Sequence, residues 1–222
     1  NLPNTRTSFA ELFINDDFMG VYVVTEHIDD EFIKNNYEKD YGNLYKCLWP
    51  APLHYIEDSP EAYKFESNGR RAYDLKTNKF ADDYSDLAQF ISVLNNTSDD
   101  DFVCEIESVF NVADYLKILA LDVLIGNWDG YAGNKNNYYL YHNPMTDLFD
   151  YIPYDLDNTW GITWGNFNWE SENPYNWANN MSFGNEFRPL YDRILAVQEY
   201  RNLFSHYLTH IISNWFNHEF VT

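Results

Sequence analysis

Basic residues are scarce in this chain of 222: 14 Lys and Arg stand against 35 Asp and Glu, leaving 35 − 14 = 21 excess negative charges. A surface of that sign repels phosphate backbones and anionic lipid, which excludes nucleic-acid and membrane-surface binding as leading functions. No run approaches the roughly 18 apolar residues of a membrane span. Cysteine is nearly missing, with only Cys47 and Cys104, and without a CxxC a cysteine-rich metal site is excluded. The pair leaves two readings open: one disulfide in an oxidising compartment, or two buried thiols. The six histidines form no HExxH, and neither GxSxG nor GxGxxG occurs. The 9 glycines are too few for collagen-like or glycine-rich sequence, and no internal repeat is visible.

What the chain has is aromatic mass. Trp, Tyr and Phe number 7, 19 and 16, so a packed core is expected despite the polar average. Residues 9–15 and 20–27 are β-rich and read as a hairpin turning through Asp16 to Met19 and closed by Gly20. A short helix over 29–37 and strands near 43–48 and 72–76 follow. From Ser85 the spacing turns helical. Ser85 is expected to cap 86–94, Ser98 to open a second helix, and Asn111 to cap a longer one through Leu124. Strands Tyr138 to Tyr141 and Leu148 to Tyr154 come next, then a long aromatic loop over 161–185 and helices over 187–217. The fold class is α+β: a small β-rich part (1–78), then a larger, mainly helical part (85–222), with a cleft between them.

Chemistry concentrates in 126–161. Asp129 stands just past the end of a long helix, where the macrodipole disfavours a carboxylate by about 0.3–1 kcal/mol. Asn137 opens one strand and Asp155 follows the next, so an antiparallel pair brings both to one end of the ribbon. One carboxylate to take a hydroxyl proton, with an Asn and a second Asp for magnesium on phosphates, is the requirement of phosphoryl transfer. Asn134 competes with Asn137, standing five residues after Asp129, as in protein-kinase catalytic loops. Asp157 is a further candidate ligand, or with Asn158 a turn element. A calcium loop from Asp155 fails, since its sixth residue is Trp160 and its twelfth Asn166. Lys46 and Lys76, each ending a strand, are the candidate phosphate-binding cations, and Glu26 a candidate partner for such a lysine. Trp160, Trp164, Trp169 and Trp177 allow a weaker carbohydrate-binding reading.

The segments IGNWDGYAGNKNNYYLY, YIPYDLDNTWG, LFINDDFMGVYVVTEHID and YDLKTNK, with the closing RPLYDRILAVQEYRNLF, resemble the CotH kinase family over roughly residues 8–210. The resemblance implies a single atypical, protein-kinase-like domain spanning 1–222, and an ATP- and Mg-dependent activity on Ser or Thr of coat or cell-surface proteins. It implies Asp129 as the catalytic carboxylate and Asn137 and Asp155 as metal ligands. The family's domain begins earlier, so an amino-terminally truncated domain is expected. A spore-coat or extracellular location follows from the resemblance, and basic Ser/Thr-rich proteins are the expected partners. The alternative is a non-catalytic surface adhesion module that keeps the same fold.

Overall fold

A computed structural model describes residues 2–162, 171–180 and 186–216. The first two strands, β1 (Thr7–Ile14) and β2 (Asp17–Thr25), pair antiparallel as a ribbon of their own. Its turn is Asn15-Asp16, both at positive φ, rather than the segment from Asp16 to Met19. Such a two-residue turn follows the right-handed twist of the strands. Gly20 lies inside β2 at φ 121, where the register shifts between Leu12 and Phe13. Nearly every residue of the ribbon is exposed, including Phe9, Phe13 and Phe18. Glu26, just beyond it, ion-pairs with Arg6 at 2.5 Å and not with a lysine.

The main sheet has four antiparallel strands: β3 (Leu44–Cys47), β6 (Tyr73–Leu75), β7 (Tyr138–Asn143) and β8 (Leu148–Pro153), in the order β6-β3-β7-β8. A minor pair, β4 (Glu66–Ser67) and β5 (Arg70–Arg71), precedes β6. The sheet therefore draws on both parts of the chain and joins them at the β3–β7 ladder, where Lys46 faces Tyr139. Alternation along the strands separates two cores. Tyr45, Cys47, Tyr138, Leu140 and Tyr151 face the helices, whereas Leu44, Tyr139, Tyr141 and Ile152 face α1 (Asp30–Asn36) with its Phe32 and Ile33.

Helices α2 (Ser85–Asn96), α3 (Phe102–Glu107), α4 (Val112–Ile125), α5 (Tyr131–Asn134), α6 (Trp177–Asn180), α7 (Pro189–Ala196) and α8 (Gln198–Asn214) complete the α+β fold. Asn111 caps α4 as expected, accepting from the Asp114 N–H. Ser85 does not cap α2. It is the first helical residue, and the Asp83 carboxylate accepts its N–H at 2.9 Å. Ser98 bonds Asp101 in the turn ahead of α3, which starts only at Phe102. Cys47 is buried on β3 and Cys104 exposed on α3, and both are free thiols, which decides against the disulfide. Within 161–185 only 161–162 and 171–180 are described. Trp177 is buried there, so it offers no sugar platform, and Trp160 is exposed and stacks on Phe216. Trp164 and Trp169 lie outside the described residues. No helix among the described residues is long and apolar enough to cross a membrane.

Candidate active site

The site is built where α4 stops. Gly126 takes the left-handed conformation at φ 72 and returns its N–H to Asp122 and Val123, turning the chain sharply out of the helix. The exit loop is tied from three sides. Trp177 Nε1 donates to the Asn127 carbonyl (3.2 Å), the Trp160 N–H to the Ile125 carbonyl (2.7 Å), and Trp128 Nε1 to the Ile162 carbonyl (2.8 Å). Asp129 is thereby held at 8% exposure.

Its carboxylate collects amide donors. Asn134 Nδ2 donates to Oδ1 at 2.6 Å, while Asn137 and Asn158 donate to Oδ2 at 3.0 and 3.2 Å. Asn136 Nδ2 stands at 3.5 Å and its Oδ1 accepts from the Trp49 N–H at 2.8 Å. Three amide bonds to a nearly buried carboxylate offset its desolvation and fix its plane. Asn134 and Asn137 thus both reach Asp129, from opposite oxygens. Asn158 was not legible as a site residue, because Asp157-Asn158 reads equally well as turn chemistry.

The second half of the site is the open end of the β7–β8 ribbon. The Asn137 carbonyl accepts the Tyr154 N–H at 3.2 Å, which places Asn137 across from the residue preceding Asp155. Asn137 and Asp155 both adopt left-handed backbone, at φ 53 and 57, which turns each out of its strand. Burial pushes the Asp155 carboxyl above its usual range, with Asp157 and then Asp129 adding repulsion and Lys46 opposing them. Asp157 accepts from the Asn158 amide at 3.0 Å.

Lys46 approaches this end from β3, with its ammonium 4.3 Å from the Tyr154 ring centre and 5.7 Å from that of Tyr139. Lys76 is engaged elsewhere, ion-paired with Asp74 at 2.9 Å. Of the two lysines, Lys46 is the one whose charge reaches Asp155. On the far flank, Arg188 is wholly buried and donates to the Gly133 carbonyl at 3.2 Å, while Glu186 bridges Arg188 and Lys135. That network clamps α5 and so the base of Asn134.

The available donors are hard oxygens from two carboxylates and a carboxamide, the type magnesium takes. Among the described residues no three His, Cys, Asp or Glu groups converge on one point to hold a metal. Among the described residues these donors number fewer than an octahedral magnesium shell takes, so other ligands would have to complete it.

The site thus gathers Asp129 from the loop after α4 with Asn137 and Asp155 from the open end of the β7–β8 ribbon. Residues 1–222 match the family described as CotH kinase protein, and the chain belongs to that family. A particular relative is Inner spore coat protein H of Bacillus subtilis (strain 168), 30% identical over 156 residues, which cover 70% of this chain. The match spans 41% of that relative's length.

Proposed function

We propose that the chain is an atypical protein kinase that moves the γ-phosphoryl group of ATP to Ser or Thr hydroxyls with magnesium. Its two parts would act as kinase-like lobes meeting at the β3–β7 ladder. The observation that carries this reading is Asp129, nearly buried, oriented by three asparagines, and close enough to Asp155 for their charges to repel. The acceptor hydroxyl oxygen attacks the γ-phosphorus, the bond to the β–γ bridging oxygen breaks, ADP departs, and the hydroxyl proton passes to Asp129. Asn137, Asp155 and Asp157 would hold magnesium, which when bound neutralises phosphate charge. Lys46 would pair with the nucleotide phosphates. The ring contacts with Tyr139 and Tyr154 hold its ammonium at the ribbon's end.

The excess of 21 negative charges favours basic Ser- or Thr-bearing substrates and makes a divalent ion necessary for an anionic nucleotide. The relative's name supports a spore-coat setting for the chain, with coat or surface proteins as acceptors. The same name favours a second reading, a coat-binding module without catalysis. Transfer of labelled γ-phosphate with magnesium, comparing wild type with Asp129→Asn, separates the two. Incorporation that falls in the variant supports the kinase; equal incorporation in both overturns the role of Asp129. Substrate choice is tested with a Lys-rich Ser peptide and its Glu-substituted counterpart. The Lys-rich peptide should be preferred, and its advantage should shrink as salt screens charge over about 8–10 Å.

A further inference from the structure

Asp122 sits on the buried side of α4, 7% exposed, seven residues before Asp129. Its Oδ1 accepts from Asn127 Nδ2 at 3.1 Å. Among the described residues no cation acts on it. Burial acts first and pushes the carboxyl up to about 7, with only the Asn127 amide opposing. Among the described residues the titratable groups facing it are phenols: Tyr115 on its own helix and Tyr151 on β8, with Tyr131 on α5 next to both. The other end of the same amide is unsatisfied, because Asn127 Oδ1 is buried without a hydrogen-bond partner. A buried acceptor left without a donor destabilises the fold.

A neutral carboxylic acid beside a carboxamide resolves both problems. In such a pair the acid O–H donates to the amide oxygen while the amide N–H donates to the acid carbonyl, closing a ring between the two groups. We propose that Asp122 carries a proton shared with the Asn127 carbonyl, and that this acid–amide pair is the positioning element beneath Asp129. The mechanical link is Gly130. A methyl group there would lie 3.0 Å from Asn127 Nδ2 and 3.5 Å from Asp122 Oδ2, so the backbone next to Asp129 rests directly on the pair. Ionising Asp122 breaks the ring, leaves the Asn127 oxygen orphaned and puts a second negative charge behind the loop. Asp122 touches no substrate and acts through Asn127 and Gly130.

The positioning role rests on the phosphotransferase reading, whereas the proton does not, and the experiment keeps them apart. The first arm is infrared difference spectroscopy of the whole chain from about pH 5 to pH 9, a window spanning carboxyl and imidazole titrations. Wild type should show the carbonyl stretch of a buried protonated carboxyl that fades through neutrality, and Asp122→Asn should lack it. No such band in wild type, or the same band in the variant, overturns the proposal. The second arm follows kcat and KM for ATP over the same range. Wild-type kcat should fall several-fold as the band fades, with KM unchanged, and Asp122→Asn should lose that fall, because an amide cannot ionise. A kcat profile identical in both proteins overturns the positioning role. Absence of transfer in every variant, with the band present, refutes the phosphotransferase reading and the positioning role with it, and upholds the proton.

Discussion

The Lys46 ammonium lies 4.3 Å from the centre of the Tyr154 ring, the residue immediately before Asp155. A cation over an aromatic face keeps its charge while losing few of its donors, so this lysine stays available to an anion.

Replacing Lys46 with Met should therefore raise KM for ATP by about tenfold or more, the loss of one charge-assisted contact of roughly 1.5–3 kcal/mol. Lys76→Met should leave KM within about twofold, since it breaks only a partly exposed pair with Asp74, worth about 0–1 kcal/mol. Steady-state kinetics on the two variants decides which lysine serves the phosphates. A larger effect at Lys76 would reverse the assignment.

Asn134 and Asn137 both bond Asp129 and are expected to differ in what they do besides. Asn137→Ala should raise the magnesium concentration needed for half-maximal transfer, as loss of a metal ligand does. Asn134→Ala should leave that concentration alone and lower kcat by about tenfold to a hundredfold through a looser Asp129. Magnesium titrations of both variants measure this. If the two profiles exchange, Asn134 is the ligand.

Asp155→Ala should abolish magnesium-supported nucleotide binding, while Asp129→Asn should retain it and lose turnover. A metal ligand acts in the ground state, and a proton-accepting group acts mainly in the transition state. Calorimetric titration with the magnesium nucleotide reads the difference. Normal binding by Asp155→Ala would transfer the ligand role to Asp157.

Gly42→Ala should destabilise the fold by roughly 1–3 kcal/mol, the usual cost of forcing extra volume into a packed site. The added methyl would sit 2.1 Å from the His142 carbonyl oxygen and 2.9 Å from the Tyr141 ring. The carbonyl belongs to β7 and cannot swing aside. Denaturant unfolding provides the measurement, and a midpoint equal to wild type would contradict it.

His142 supplies a pH test of stability. Its ring lies 3.0 Å from Asp86 and 3.1 Å from Asp147. The bond to Asp86 comes first in raising its pKa above the usual imidazole range, burial opposes, and the charges of Asp86 and Asp147 add to the rise. A raised folded-state value means the protonated ring stabilises the native state. That contribution is complete below the unfolded pKa of about 6.5 and is lost as pH rises through the higher folded value. Melting temperatures of wild type and His142→Gln should therefore converge as pH rises through that interval. A constant gap between them would exclude the pairing.

Much of the candidate site's geometry was legible in sequence because its parts are local. Asp129, Asn134 and Asn137 share one short segment, and the strand pattern around Asn143-Pro144 brings Asp155 back to them. What escaped depends on partners far along the chain. That β3 runs beside β7, which delivers Lys46 rather than Lys76, is a matter of sheet order, and strand periodicity does not encode it. Asp122 escaped because a carboxylate within an apolar helical stripe carries no signal until its neighbours are known. The hairpin turn was misplaced because Gly20 attracts a turn reading. Its positive φ instead serves the irregularity in β2, and the two-residue turn falls on Asn15 and Asp16, types that tolerate the left-handed region.

The pairing of β3 with β7 also sets the order of events during synthesis. Leu44 to Cys47 leave the ribosome long before Tyr138 to Tyr141, the strand that finally lies beside them. Contacts this distant in sequence form late, after a large loop-closure entropy has been met. Until then the nascent chain holds Lys46 apart from Asp155, and the proposed phosphate-binding mouth has not formed. Any phosphate-binding capacity should arise abruptly once β7 and β8 have joined β3, and a ribosome-arrested chain ending before Leu148 should have none.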